Sequence, residues 1–213
     1  MYIPPHFRQL DPAEIARIVE AAPLACVVAQ TAEGLLANHL PLLAAPGDRL
    51  IGHVALANDM HRLIADGQEV LVIFQGEQGY VSPNYYPSKA EHHRHVPTWN
   101  YEVVQMRGRI RFQHDEQAKR AAVGLLTRQH ERRLHGALGW RMADAPADYM
   151  DNMLGQIVAL RVEVSAVLAK SKLSQNRASR DLEGAIAGLR EAGQDGIATR
   201  MQAYRRTAPG QED

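Results

Sequence analysis

Long apolar runs, cysteine pairs and an excess of either charge sign are all missing from this 213-residue chain. Lysine plus arginine number 24, as do aspartate plus glutamate, so no global field draws the protein to nucleic acid or to an anionic membrane. A single cysteine, Cys26, rules out an intramolecular disulfide, and its setting in the run LACVVA reads as a buried small hydrophobe. No apolar stretch approaches the roughly 20 residues that span a bilayer, and the opening MYIPPHFRQL lacks the apolar centre of a leader peptide. The expectation is a soluble, cytoplasmic protein with no membrane partner. Several chemistry-bearing signatures are also absent: there is no G-x-x-x-x-G-K-[ST] loop, no G-x-G-x-x-G after a strand, no G-x-S-x-G elbow and no C-x-x-C pair. A nucleotide-like ligand would need another cradle.

What is present is a chain able to bury a core, with 46% hydrophobic and 23% charged residues. Asp11-Pro12-Ala13-Glu14 opens a helix whose apolar face is Ile15, Ile18 and Val19, and Pro23 ends it. Short β-like runs follow at Leu24–Gln30, Leu35–Leu43, Leu50–Val54 and Val70–Gln75. Val70 to Phe74 is apolar on both parities and reads as a central strand covered on both faces. Asn58 to Ala65 suggests one short inserted helix. After a polar loop, Pro83 to Pro97, a long strand begins. Val104, Met106, Ile110 and Phe112 share one of its faces, while Trp99, Tyr101 and Val103 lead the other, so its opening is expected to be covered on both sides.

Asp115 then starts an amphipathic helix through about Leu134, with Ala118, Ala121, Ala122 and Leu125 on one stripe. Gln156 to Lys170 alternates as a strand with Val158, Leu160, Val162, Val164, Ala166 and Leu168 on one side. Two helices close the chain, one carrying Leu182, Ala185, Ile186 and Leu189 and the other Ile197, Met201 and Tyr204, before the polar tail TAPGQED. Strands joined mostly by turns and interrupted by a few helices predict an α+β fold, mostly antiparallel β: a small six-stranded barrel with flanking helices and a C-terminal helical segment. Residues 1–170 are expected to form the barrel domain and 171–213 a helical extension packed on it.

Three segments carry candidate chemistry. AKSKLSQNR places Lys170, Lys172 and Arg177 together with no acid among them, and Ser171, Ser174, Gln175 and Asn176 add hydrogen-bonding groups. Between a strand and a helix start, that set suits a phosphate dianion. It reads equally as a solvated connection in which Asn176 or Ser179 caps the helix. In LLANHLPLL, Asn38 and His39 interrupt an apolar strand, and Pro41 implies an edge or a place where the backbone faces something other than a sheet neighbour. AEHHRHVP offers His92, His93 and His95 beside Glu91, but without the ordered spacing of a closed metal site, so a solvated loop with no metal is expected. The basic sets Arg128, Arg132, Arg133 and Arg205, Arg206 read as solvent-facing helix surface. No helix-turn-helix precedes either, so DNA binding has no motif behind it.

The segments YIPPHF, NHLPLL, GHVALAN, YVSPNYYPSK, VPTWNYEVVQMRG and KLSQNR occur in that order from Met1 to about Arg190. Together they resemble the PaiB-type family, described as FMN-binding negative transcriptional regulators. Asn84-Tyr85 and the run Gln105 to Arg107 depart from its usual pattern. The resemblance implies a split β-barrel similar to the pyridoxamine-phosphate-oxidase and flavin-reductase-like barrels, assembled as a homodimer with FMN at the subunit interface. It further implies that Asn38, His39, Leu40 and Pro41 lie along the isoalloxazine, and that His53 and the Ala57-Asn58 turn approach the ribityl phosphate. Trp99, Asn100 and Tyr101 would wall the same cleft, and Lys172, Ser174, Gln175 and Asn176 match the KLSQN segment. Two other activities stay open at this point: a flavin-dependent oxidoreductase, with catalytic residues unassigned, and a haem-binding split barrel.

Overall fold

The computed structural model describes residues 1–207; the tail from Ala208 and the side chains of Arg205, Arg206 and Thr207 lie outside the described residues. Eight strands hydrogen-bond in the order β3-β2-β6-β7-β8-β5-β4, with β1 (Arg8–Gln9) added to β8. Here β2 is Leu24–Thr31, β3 Gly34–Pro41, β4 Leu43–Ala45, β5 Arg49–Ala55, β6 Glu69–Val81, β7 Thr98–Gln113 and β8 Ile157–Lys172. The class is the expected α+β with antiparallel pairing. The strand count exceeds the expected six because β1 and β4 are too short to leave an alternation in the sequence. By contact, the chain divides into two compact units. One comprises Met1–Ile18, Gln75–Val104 and the chain from Leu168 onward; the other comprises Val19–Phe74 and Gln105–Val167.

In the second unit, β2 and β3 form a hairpin closed by Ala32-Glu33, with Thr31 opposite Gly34. The Thr31 hydroxyl donates to the Gly34 carbonyl at 2.9 Å and accepts from the Glu33 N–H at 3.1 Å, which holds the tight turn. Ala25, Val27 and Ala29 are buried, as are Val70, Val72 and Phe74 on β6. Leu71 and Ile73 are only half-buried, so β6 has one fully covered face rather than two. Cys26 is half-buried too, because its parity on β2 is that of Val28 and not of Val27. Pro41 ends β3, which lies at one end of the strand order, as a residue without an N–H requires.

Gly52 on β5 permits a close crossing there: a Cβ would fall 2.5 Å from Leu42 Cδ2 and 3.0 Å from the Pro41 carbonyl. The short helix is one turn, α2 (Met60–Leu63), after α1 (Pro12–Ala21). Helix α4 (Glu116–His135) starts where the capping pattern says, with Asp115 accepting from the Ala118 N–H at 2.8 Å. Its buried residues are Ala122, which is on the expected stripe, and Leu126, one step along from the expected Leu125. Helix α5 (Ala147–Gly155) precedes β8.

The first unit is built around a second apolar cluster. Val81, Tyr86 and Leu173 pack with Leu182, Ala185, Ile186 and Leu189 of α6 (Ser179–Glu191) and with Ile197, Ala198 and Met201 of α7 (Asp195–Thr207). The polar loop after β6 is more ordered than its composition suggests. It holds a 3₁₀ turn over Pro83–Tyr85, capped by the Ser82 hydroxyl, and a single turn α3 (Lys89–His92). Neither Asn176 nor Ser179 caps α6: the capping position is Ala178, which has no side-chain acceptor.

On β8 the expected alternation fails after Val162. Val164 is half-buried and Ala166 exposed, while Ala169, Lys170 and Ser171 are all buried.

Candidate functional site

The expected ligand-contacting residues fall into one set in each unit. In the second unit, Asn38 and Asn58 are brought together: the Asn58 amide N–H₂ donates to Asn38 Oδ1 at 3.0 Å. Asn58 Oδ1 accepts in turn from the Met60 N–H at 2.9 Å, so α2 fixes which way the amide points. His39 and Pro41 are exposed on β3, Leu40 is buried and Ala57 is exposed on the turn. His53 lies on β5 opposite Ala159. Its Nδ1 is buried without a hydrogen-bond partner, and burial pushes the imidazole below its ordinary range, so it stands neutral at pH 7.

The first-unit set is more tightly interlocked. Lys172 at the end of β8 donates to the Trp99 carbonyl at 2.8 Å and to the Thr98 hydroxyl. Asn100 is fully buried and donates to Ser174 Oγ at 2.8 Å; Met201 Sδ lies 3.3 Å from the same nitrogen. Gln175 folds back on its own loop, accepting from the Leu173 N–H at 2.7 Å and donating to the Ser171 carbonyl at 2.6 Å. Asn176 is exposed. Ser174 adopts a left-handed backbone at φ 64°, the sharpest bend of the segment. The Lys170 ammonium lies 5.0 Å from the Tyr101 ring centroid, 5.8 Å from Tyr2 and 6.0 Å from Phe7.

Electrostatically, this segment is unbalanced. Burial, then the nearby charges of Lys170 and Arg177, push the Lys172 ammonium below its ordinary range. Among the described residues none of these three cations has a carboxylate partner, and the Asn100 Oδ1 and Ser171 Oγ atoms are buried without hydrogen bonds. Uncompensated cations beside unsatisfied polar atoms are the environment that an anionic, hydrogen-bonding group relieves. The seryl, amide and lysine groups therefore fit a phosphate-bearing cofactor.

Trp99 corrects one expectation. It is 48% exposed and not covered on both faces, with its indole N–H on Gln78 Oε1 at 3.2 Å and its ring 6.1 Å from that of Tyr80. The buried parity at the start of β7 belongs instead to Asn100 and Glu102. Sequence reading missed Glu102, which receives the guanidiniums of Arg17 at 2.6 Å and Arg200 at 3.2 Å, both of them also held by Glu14. It was signalled by the parity of Val104 and Met106 carried two residues back.

The histidine loop also differs from a solvated strand of polar residues. His95 is buried against Tyr86 at 4.7 Å between ring centroids, and its Nε2 lies 2.7 Å from Ser88 Oγ. The Ser88 hydroxyl donates to Asp181 at 2.6 Å. No group of three or more metal-ligating side chains is found among the described residues.

A family profile described as "Putative FMN-binding domain" matches residues 1–166. The chain belongs to that family. FMN is accordingly its cofactor. The match ends at residue 166, before the cation-rich segment around Lys172. The Bacillus subtilis protein named protease synthase and sporulation protein PAI 2 is 31% identical over 193 residues, 89% of each chain. An uncharacterized Aspergillus fumigatus protein is 30% identical over 177 residues, covering 76% of this chain and 67% of its own. Among solved structures, the FAD and haem binding protein of Mycobacterium smegmatis superposes with a TM-score of 0.57 at 16% identity, covering 83% of this chain and 78% of that one. A conserved hypothetical protein of Mycobacterium tuberculosis does so at 0.57 and 11%, covering 84% and 96%. At such identities these likenesses show the fold, which is the split barrel. No described helix is long and apolar enough to cross a membrane.

Proposed function

We propose that this protein is a homodimeric FMN-binding regulator that represses transcription in a flavin-dependent way, as its resemblance to the PaiB-type family implies. The observation that carries the cofactor assignment is the trio Lys170, Lys172 and Arg177, which has no carboxylate partner among the described residues, with Lys172 bonded to the backbone carbonyl of the exposed Trp99. In this reading Lys172 and Ser174 hold the phosphate, with Gln175 fixing the loop that presents them and Asn176 at its open end. Asn100 positions Ser174. Trp99 and Tyr101 wall the flat ring and the seam with a second copy, where an amphipathic aromatic contributes apolar area and a polar tip. Asn38, His39, Leu40, Pro41, His53, Ala57 and Asn58 are the further flavin contacts that the family resemblance implies, with the Asn58 amide oriented through α2. The extension from residue 171 would then belong to the binding machinery and not only to packing. Bound FMN supplies hydride or single-electron transfer.

Support for repression comes from the family resemblance; the Bacillus subtilis relative is named for protease synthesis and sporulation. The test is direct. Purified protein should show a flavin spectrum and the scattering mass of two copies, and should bind operator DNA with strong salt dependence. Lys172→Ala and Asn58→Ala should each weaken FMN binding. Unchanged FMN affinity in both would overturn the site, and absence of any salt-dependent duplex binding would retire the regulatory role.

A flavin-dependent oxidoreductase is the second reading, favoured by the neutral, partly unsatisfied His53, which is suited to holding or passing a proton. Turnover of NAD(P)H by the holoprotein, lost in His53→Phe, would favour it.

A further inference from the structure

The C-terminal half of α4 and the loop after it enclose a cleft of about 730 Å³, within the size range of small-molecule pockets. We propose that this cleft binds a small organic anion, a carboxylate or phosphate carried on a flat unsaturated ring. None of the residues assigned to FMN lies in it.

Two features point to that chemistry. Arg128 and Arg132 stand one turn apart on α4, both line the cleft, and neither has a carboxylate partner among the described residues. The third guanidinium on the wall, Arg141, is tied to Asp144 at 3.2 Å. Glu131, the acid in the lining, keeps its charge, but its carboxylate is held by the loop backbone, accepting from the Trp140 N–H at 2.9 Å, and it pairs with neither arginine among the described residues. The lining therefore holds two guanidiniums without a carboxylate partner among the described residues, planar groups of the kind that pair with carboxylate or phosphate. The attraction of cations to a helix C-terminus accounts for Arg132, but Arg128 lies beyond the last turn where that effect operates.

The body of the ligand is set by the other wall. Trp140 is 43% exposed and lines the cleft together with Met142, whose Sδ would lie 3.4 Å from a Cβ at Gly124 on the helix floor. An exposed indole in the same lining as two guanidiniums favours a flat ring with an anionic substituent over a bare ion. The position of that indole is fixed by the close approach of the loop to α4: a Cβ at Gly139 would lie 2.9 Å from Glu131 Cβ and 3.0 Å from the Glu131 backbone. The wall is thus built into the fold by a residue without a side chain.

The protein has two tryptophans, so the full chain labelled with ¹⁵N gives two indole N–H signals, assigned with Trp140→Phe. Phenyl phosphate and benzoate serve as probes, with inorganic phosphate and phenol as controls. The Trp140 signal should move saturably with the two aromatic anions while that of Trp99 stays in place. Arg128→Ala with Arg132→Ala should weaken binding by about tenfold or more, as loss of charge-assisted bonds requires. The proposal fails if no saturable shift occurs up to about 10 mM, beyond any affinity of functional use. It also fails if the arginine variants bind as well as the parent, or if inorganic phosphate alone binds equally, which would mean an adventitious anion only. A final arm uses FMN on the Lys172→Ala, Asn58→Ala protein. Displacement of phenyl phosphate from Trp140 there would make the cleft the flavin site and overturn a separate one.

Discussion

The Arg200 guanidinium of α7 lies 3.2 Å from the carboxylate of Glu102, which is wholly buried on β7 and is shared with Arg17 of α1. One carboxylate thus ties together three elements that are far apart in the chain. A buried ion of this kind is costly to bare, because removing one partner leaves the others desolvated and unmatched. Glu102→Ala leaves two arginines facing only Glu14, and it should cost about 3–5 kcal/mol of stability. Urea denaturation measures this. A loss below about 1 kcal/mol would mean that the cluster is wet and that apolar packing alone places α7.

The charge on Lys172 should set an alkaline limit to cofactor binding. Its ammonium already loses its proton below the ordinary 10.5, because burial and then Lys170 and Arg177 disfavour the charged form. The sign follows. Without ligand, the fold binds fewer protons here than the unfolded chain, so stability rises with pH between the lowered value and 10.5. A phosphate needs the charged form, so FMN affinity should fall across that same window. Lys172→Arg, whose charge persists, should remove the fall, and Lys172→Ala should lower affinity by about tenfold or more at neutral pH. Fluorescence titration of FMN against pH reads both.

Much of the fold was legible because strands and helices write their period into the chain. Asp115 capping, Pro41 at an edge and the apolar stripe of α6 were each read from local chemistry and hold. The polar interior was less accessible. Asn100 and Glu102 share the parity of Val104, yet a polar residue is placed inside only by its partners, and Arg200 is 98 positions from Glu102. Likewise, His95 looked like part of a solvated loop because its shelter, Tyr86 with Ser88 and Asp181, is assembled by the fold. Trp99 misled in the opposite direction. Large aromatics are usually buried, but a single chain leaves this one open.

Asp181 should govern part of the acid limb of stability. Burial raises its carboxyl, but two hydrogen bonds from Ser88, with His95 and Arg180 nearby, more than offset this and hold it below 3.8. The folded chain therefore binds fewer protons at this site than the unfolded chain. The contribution is present above the ordinary carboxyl value and is lost as pH falls through the lowered one. Asp181→Asn should flatten that acid limb, and Ser88→Ala should cost about 1–3 kcal/mol near neutrality by leaving the carboxylate under-bonded. Thermal unfolding followed from pH 7 down to the onset of acid denaturation would show both effects, or neither if the cluster is solvated.

Trp99 is the residue on which the proposed dimer turns. Nearly half of its indole surface faces outward on β7, and the Tyr80 ring beside it is 43% exposed. Its backbone, by contrast, is pinned through the Lys172 bond to the carbonyl. An aromatic held rigid at its base and open at its ring loses little entropy on being covered, which is the profile of an interface anchor. Trp99→Ala should therefore weaken self-association by about 2 kcal/mol or more while leaving the monomer folded, since the side chain contributes little to the core. Trp99→Glu should abolish association. Scattering mass against concentration distinguishes the outcomes, and FMN affinity should fall in step with dimer content if the second copy completes the cofactor's wall. A variant that stays dimeric, or one that becomes monomeric yet keeps FMN, would separate the seam from the cofactor site.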